Sequence, residues 1–308
     1  MTAITKECIN RWASTIKQKT FKSNDTYSIG SITHLWELLG DIFAGKSKSQ
    51  NQKPKSILPN AWLSGAHFLF NNQSNLNIGS DGYDNYQAPV LNGNHQLYLR
   101  RLWARGSINI SSVPELNSSL HCDEKVTSVR FIDENVLVNI ERSFYSRILS
   151  PPLLVENRTL MYTNKLYFPA KTKPILLNEK NVLLVSPPIQ LSSIDLLKYS
   201  MLTYNLHKIH IDTNYCHSIE NLPTLIVHGP LQVTLLLYYF QLQYPKITPH
   251  LFSYRTYEPC FVNEELAISI TENGDQFDLA LCNPKDKRVK LKGQLHLLEK
   301  YQAPSHTW

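Results

Sequence analysis

The strongest constraint in the chain lies between Gly229 and Pro245. From Leu231 to Phe240 only Gln232 and Thr234 are clearly polar. Pro230 stands where the first turn of a helix tolerates a missing N–H, and Pro245 closes the run. About 14 residues of helix reach roughly 21 Å at 1.5 Å per residue, too short to cross a bilayer. A helix that is apolar nearly all round must be covered on every side. A chain holding one such helix therefore has to wrap something around it.

The wrapping is readable downstream. Leu251–Tyr257, Leu266–Thr271, Phe277–Cys282 and Arg288–Leu298 carry strand patterns, with turns at Asn273-Gly274-Asp275 and Asn283-Pro284-Lys285-Asp286. Upstream, Val126–Phe131, Val136–Ile140 and Leu160–Phe168 repeat the strand signal more faintly, with Pro151-Pro152 as a loop between them. Thr33–Ala44 predicts a short amphipathic helix, residues 45–56 a polar linker, and residues 71–95 an irregular Asn- and Gly-rich loop. The expected class is α+β. A presequence or tail at 1–30 precedes a degenerate N-terminal half at 31–170. A linker at 171–190 then leads to a C-terminal half at 191–308, each half an antiparallel sheet around a helix.

Just before the apolar run, Thr203–Asp212 is dense in groups that hold or move protons: Asn205, His207, His210 and Asp212. In an extended conformation His207, Ile209 and Ile211 share one side and Leu206, Lys208 and His210 the other. A His facing a pocket titrates near neutrality and can act as general base or acid. Asn205, an amide, donates and accepts hydrogen bonds but gives up no proton. A structural His bonded to a backbone carbonyl is the alternative for His210. A metal reading of His207, His210, Asp212, His217 and His228 fits poorly, because His-x-x-His is not the helical i, i+4 pair and no Cys-x-x-Cys follows.

The N-terminus of the apolar helix adds unpaired N–H groups and partial positive charge. Gly229 lets a ligand approach that backbone closely. An oxygen gaining negative charge is stabilised there. An ordinary core helix preceded by a glycine turn remains the alternative.

Taken together, Tyr199-Ser-Met-Leu-Thr-Tyr-Asn-Leu-His-Lys-Ile-His-Ile-Asp212, Tyr215 and Val227-His-Gly-Pro-Leu231 resemble the active-site region of the MaoC-like (R)-specific hydratases of the hotdog fold. Within them the chain is most similar to the mitochondrial type 2 hydroxyacyl-thioester dehydratases. Phe252-Ser-Tyr-Arg255, Pro259, Ile78-Gly-Ser-Asp-Gly82, Ala88-Pro-Val90 and Arg100-Arg-Leu-Trp-Ala104 extend the resemblance over roughly residues 55 to 300. The broader hydratase pattern has Asp where Asn205 stands, Asn at His207 and Pro at Lys208.

The resemblance implies a double hotdog and syn-elimination of water from a (3R)-3-hydroxyacyl thioester. It makes His210 the base at C2, Asn205 the holder of the C3 oxygen and the Gly229 N–H the oxyanion donor. Tyr199, His207, Asp212, His228 and Arg255 are expected to bind substrate or support those groups. The implied substrate is an acyl-carrier protein or CoA thioester, in type II fatty acid synthesis in the mitochondrial matrix. Alternatives are a hydratase of a dicarboxylic (mesaconyl-type) CoA thioester and a non-catalytic hotdog module that binds acyl thioesters.

No cofactor is implied, since no Gly-x-Gly-x-x-Gly follows a strand. Residues 1–55 hold eight Lys and one Arg against four acids, so of the net +6 only +1 falls elsewhere. That balance argues against a nucleic-acid partner. The basic, acid-poor start, with Ile4, Cys8, Ile9, Trp12 and Ile16 near helical spacing, has the composition of a mitochondrial presequence. Five Cys without pairing pattern suit free thiols in a reducing compartment. Lys208, Lys246 and Arg255 are candidates to meet a phosphopantetheine arm or an acidic carrier. No stable membrane insertion is expected, and two halves in one chain can act as a monomer or pair into a homodimer.

Overall fold

A computed structural model of the chain describes residues 6–44, 60–91, 95–169 and 173–297. The first five residues of the expected presequence and the linker at 45–56 lie outside them.

The C-terminal half shows the wrapped helix directly. Helix α5 (Gly229–Gln243) buries every residue from Leu231 to Gln241. Strands β10 (Pro249–Thr256), β11 (Glu265–Asn273), β12 (Gln276–Cys282) and β13 (Val289–Leu297) follow it as expected, in the sheet order β10-β13-β12-β11. Phe240 of the helix meets Phe277 of β12 edge-on at 5.0 Å between ring centres. The segment read as a linker contributes two short strands, β8 (Val182–Val185) and β9 (Ile189–Gln190), and both pair with β11.

The N-terminal half supplies β4 (Arg100–Ile110), β5 (Ser119–Ile132), β6 (Asn135–Tyr145) and β7 (Leu154–Thr163). The last of these begins six residues before the predicted Leu160, because its first half carries alternating polar residues that hide the strand. Two-residue strands β2 (Val90–Leu91) and β3 (His95–Gln96) interrupt the loop before β4. Antiparallel pairing of β4 with β10 joins the halves, from Leu251↔Asn109 to Arg255↔Arg105. The result is one continuous antiparallel sheet of the α+β double-hotdog class. Helices α2 (Ile29–Ala44), α3 (Ser193–Leu202) and α4 (Thr213–Glu220) pack around it, and Phe43 of α2 stacks on Tyr239 of α5.

Residues 6–30 are part of this body. Helix α1 (Lys6–Ile16) presents Ile9, Ala13 and Ile16 to the protein, as its helical spacing predicts. Ile9 and Ile16 cluster with Val126, Val136, Val138 and Ile140. Strand β1 (Thr20–Thr26) pairs with β5 along seven residues, Thr20↔Lys125 to Thr26↔Ser119.

Between the cluster around Ile9 and the main core, which holds Phe144, lies a buried ionic row. On β6, Val136, Val138 and Ile140 precede Arg142 and Phe144 on one face. Arg142 pairs with Glu124 at 3.0 Å and Glu156 at 3.3 Å, and Arg158 reaches Glu156 at 2.7 Å. Buried His67 lies 3.8 Å from the same carboxylate. Burial holds the His67 imidazole neutral and pushes its pKa down to about 3, against the attraction of Glu156. Burial opposes ionisation of Glu156, but Arg158, Arg142 and His67 outweigh it and pull its pKa down to about 2.

Both shifts have the same sign for stability. As pH falls below the ordinary His value of 6.5, the unfolded chain binds a proton at His67 that the folded chain refuses until about 3. Below the ordinary 4.5 of Glu156 the same holds for that carboxylate down to about 2. The midpoint of urea unfolding is therefore expected to fall steadily from pH 7 to 3, more steeply below 4.5. A midpoint that rose on acidification would contradict the ionic row.

Candidate active site

The loop between α3 and α4 carries the proton-handling residues, and both flanking helices fix it. Ser192 and Asp195 close a reciprocal cap at the start of α3. Asp212 caps α4, accepting from the Tyr215 N–H at 2.9 Å. Between them the chain is not extended. Lys208–His210 forms a 3₁₀ turn, so His207 and His210 fall on the same side, with ring centres 5.4 Å apart. The alternation expected of a strand is thereby replaced by a turn that buries both imidazoles.

The segment leading into α5 clamps this turn. Ile226 donates its N–H to the Ile209 carbonyl at 3.0 Å. The Ile226 carbonyl in return accepts from His210 Nδ1 at 2.7 Å. That bond settles the tautomer: Nδ1 carries the proton and Nε2 keeps its lone pair. Burial pushes the His210 pKa down to about 4, only partly offset by the bond to Ile226, so the ring is neutral at pH 7. His228 stacks on His210 at 3.6 Å and is fixed through Nε2 to Ser200 Oγ at 2.8 Å. Burial, then the neighbouring His210, holds His228 well below the usual histidine range. Tyr199, fully buried, meets the His228 ring edge-on at 5.0 Å.

A cavity of about 350 Å³ opens on this cluster. Tyr199, Asn205, His207, His210 and Gly229 all line it. Asn205 spends its side-chain oxygen on the His207 N–H at 2.9 Å, which leaves its amide NH₂ as a donor. Gly229 begins α5, whose first N–H groups have no acceptor within the helix. A Cβ there would collide with the Trp103 ring, so the close packing of Trp103 demands glycine.

Other expected residues stand elsewhere. Arg255 is exposed on β10, with its guanidinium 5.5 Å from the Tyr257 ring centre. The strand alternation that buries Tyr254 turns Arg255 outward. Asp212 serves the α4 cap and does not line the cavity. Lys208 spends its Nζ on the Ser80 carbonyl at 2.9 Å. Of the five residues weighed as metal ligands, His207, His210 and His228 cluster, while Asp212 caps α4 and His217 is bonded to the Pro223 carbonyl. Among the described residues no group of three or more His, Cys, Asp or Glu side chains is placed to hold a metal ion.

The opposite wall comes from the N-terminal half and holds groups that sequence reasoning missed. Trp103 lies parallel to Tyr254 at 6.4 Å, and Arg158 sits 5.0 Å from the Trp103 ring centre. Arg101 grips Asp81 through Nε at 2.6 Å and Nη2 at 3.0 Å. Asp81 in turn lies 3.6 Å from His207 Nε2. The signal was the Arg100-Arg-Leu-Trp103 cluster itself, since two arginines on a buried strand require partners. Among the described residues no helix is long and apolar enough to cross a membrane.

Known proteins share this arrangement of sequence and fold. A family model described as hydroxyacyl-thioester dehydratase type 2 matches residues 65–262. The mitochondrial hydroxyacyl-thioester dehydratase type 2 of Schizosaccharomyces pombe is 30% identical over 242 residues, 68% of this chain and 78% of that protein. The protein of the same name from Saccharomyces cerevisiae is 33% identical over 182 residues, 56% of this chain and 64% of its own. A MaoC-like dehydratase from Phytophthora capsici shares the fold, with a TM-score of 0.67 at 13% identity over 93% of this chain and 98% of that one. The matched span holds the turn with His207 and His210, the His228 ring stacked on His210, the start of the buried helix and the opposing Trp103 wall, and the chain belongs to the hydroxyacyl-thioester dehydratase type 2 family.

Proposed function

We propose that the protein is a hydro-lyase that converts (3R)-3-hydroxyacyl thioesters to trans-2-enoyl thioesters by syn-elimination, in mitochondrial type II fatty acid synthesis. One observation carries the reading. A neutral imidazole, His210, is locked through Nδ1 and lines the same cavity as the open N-terminus of a buried helix. A base beside an oxyanion site is what removal of a proton alpha to a carbonyl needs.

In the proposed sequence His210 Nε2 takes the C2 proton as charge builds on the thioester oxygen, which the Gly229 N–H holds. The protonated ring then gives that proton to the C3 oxygen as the C–O bond breaks, and water leaves. Asn205 donates its amide hydrogen to the same oxygen. The names of the yeast relatives support a mitochondrial location, and we place the protein in the matrix. The proposed carrier is an acyl-carrier protein. Both walls of the cavity come from one chain, which supports a monomer sufficient for turnover.

The test compares (3R)- and (3S)-3-hydroxybutyryl esters of a carrier protein and of CoA. Turnover of the (3R) esters alone, with the lower KM on the carrier, is expected. Equal use of both enantiomers, or no turnover of either carrier, would sink the reading. A clear preference for CoA would move the protein to CoA-thioester hydration instead.

A further inference from the structure

One loop of the N-terminal half is fastened directly onto the catalytic turn of the other half. Lys208 donates its N–H to the Asp81 carbonyl at 2.8 Å, and its Nζ bonds the Ser80 carbonyl. Gly82, with φ +81°, presses against the Leu206 carbonyl, where a Cβ would collide. This clamp delivers the fully buried Asp81 carboxylate to His207, with Oδ2 3.6 Å from Nε2. His207 Nε2 is itself buried and has no hydrogen-bond partner among the described residues. Arg101 fixes the carboxylate from the other side and is held in turn by the Asp84 carbonyl at 2.9 Å and Asn85 Oδ1 at 2.8 Å.

We propose that Asp81 is the working carboxylate of this active site, lent by the other half of the chain: it sets His207 in the Nε2–H tautomer, so that Nδ1 accepts the hydrogen of the C3 hydroxyl. The proposal rests on the dehydratase reading and deepens it. The physical reason is the donor inventory. The Asp81 carboxylate accepts from Arg101 through both oxygens and offers the imidazole an acceptor. The ring nitrogen nearest to it therefore carries the proton, and the other keeps a lone pair. Burial, then the nearby His210 and Arg101, holds His207 neutral, so it has one lone pair to offer. Asn205 already holds its oxygen on the His207 N–H and acts in the proposed sequence as a donor through its NH₂, which leaves His207 Nδ1 as the acceptor.

The step balances without a net proton on His207. The C3 hydroxyl donates to Nδ1, which turns an oxygen lone pair toward the Nε2–H that His210 gained from C2. That proton forms the new O–H bond as C3–O breaks, and water departs. His210 returns to neutral and His207 is unchanged. His207 is thus a catalytic residue and Asp81 a positioning one.

Nitrogen-15 NMR of histidine-labelled protein tests this, with His207→Gln used to assign the signal. The unaltered protein at pH 7 is expected to show His207 as the Nε2–H tautomer, and Asp81→Asn to shift it toward the other form. Asp81→Asn is also expected to lower kcat about tenfold with KM nearly unchanged, the effect of about one neutral hydrogen bond. An Nδ1–H tautomer in the unaltered protein, or an Asp81→Asn protein that keeps both tautomer and kcat, would overturn the proposal. Should Asp81→Asn fail to fold with Arg101 unpaired, His207→Gln decides: a loss in kcat of about tenfold supports the proposal, and an unchanged kcat overturns it. The tautomer is read without turnover, so a protein inactive on every hydroxyacyl thioester overturns the dehydratase reading independently.

Discussion

A His210→Ala protein is expected to lose at least about 10²-fold in turnover, the low end for removing general acid–base catalysis. Its KM should change far less, because the ring is required when the C2 proton moves and not when the acyl group enters. The expectation follows from the anchoring of the ring. Nδ1–H is committed to the Ile226 carbonyl at 2.7 Å and one ring face to His228, so Nε2 is the nitrogen left to react. Alanine also strands that carbonyl in a buried setting, at about 1–3 kcal/mol, so folding has to be followed alongside activity. His210→Gln, which retains polar atoms and more of the volume, separates the two effects. Hydration of crotonyl-CoA gives the rate and a thermal unfolding curve gives the integrity. Near-normal hydration by a folded His210→Ala protein would remove this imidazole from the mechanism.

The contrast between what the chain discloses locally and what it hides is physical. The apolar run after Gly229 announces a wrapped helix, and the four strands beyond it lie within a few residues of their expected bounds. Both signals are local: periodicity, proline punctuation and turn chemistry. That His210 would share a pocket with the start of α5 was legible because Gly229-Pro230 and the polar loop stand close in sequence. The outward turn of Arg255 and the α4 cap made by Asp212 were hidden for a complementary reason, since proximity in sequence says nothing about which face of β10 a side chain takes or which helix a carboxylate caps. The N-terminal half was harder still. Glu124, Arg142, Glu156 and Arg158 break the apolar alternation of β5, β6 and β7 and look like surface positions one strand at a time. Only their pairing across three strands makes them an interior. Asp81 and His207 are 126 residues apart in numbering, and no local pattern brings such a pair together.

Gly229→Ala is expected to cost comparably much, by a different route. A single methyl group at this position lands on the Trp103 ring, hitting Cγ, Cδ1 and Cβ together. Trp103 cannot simply retreat, because Tyr254 lies parallel to it at 6.4 Å and Arg158 covers it at 5.0 Å. The start of α5 has to move instead, and it carries the N–H proposed to hold the thioester oxygen. Losing one such donor costs about 10² to 10³ in kcat. Overpacking adds about 1–3 kcal/mol of instability. A double variant distinguishes strain from a lost donor. Trp103→Leu added to Gly229→Ala should recover stability by emptying the space the methyl needs. If α5 returns to its place, kcat recovers with it, because alanine keeps the backbone N–H. A Gly229→Ala protein with unchanged stability and unchanged kcat would show that Trp103 yields freely and that the helix start is not held against the reacting carbonyl.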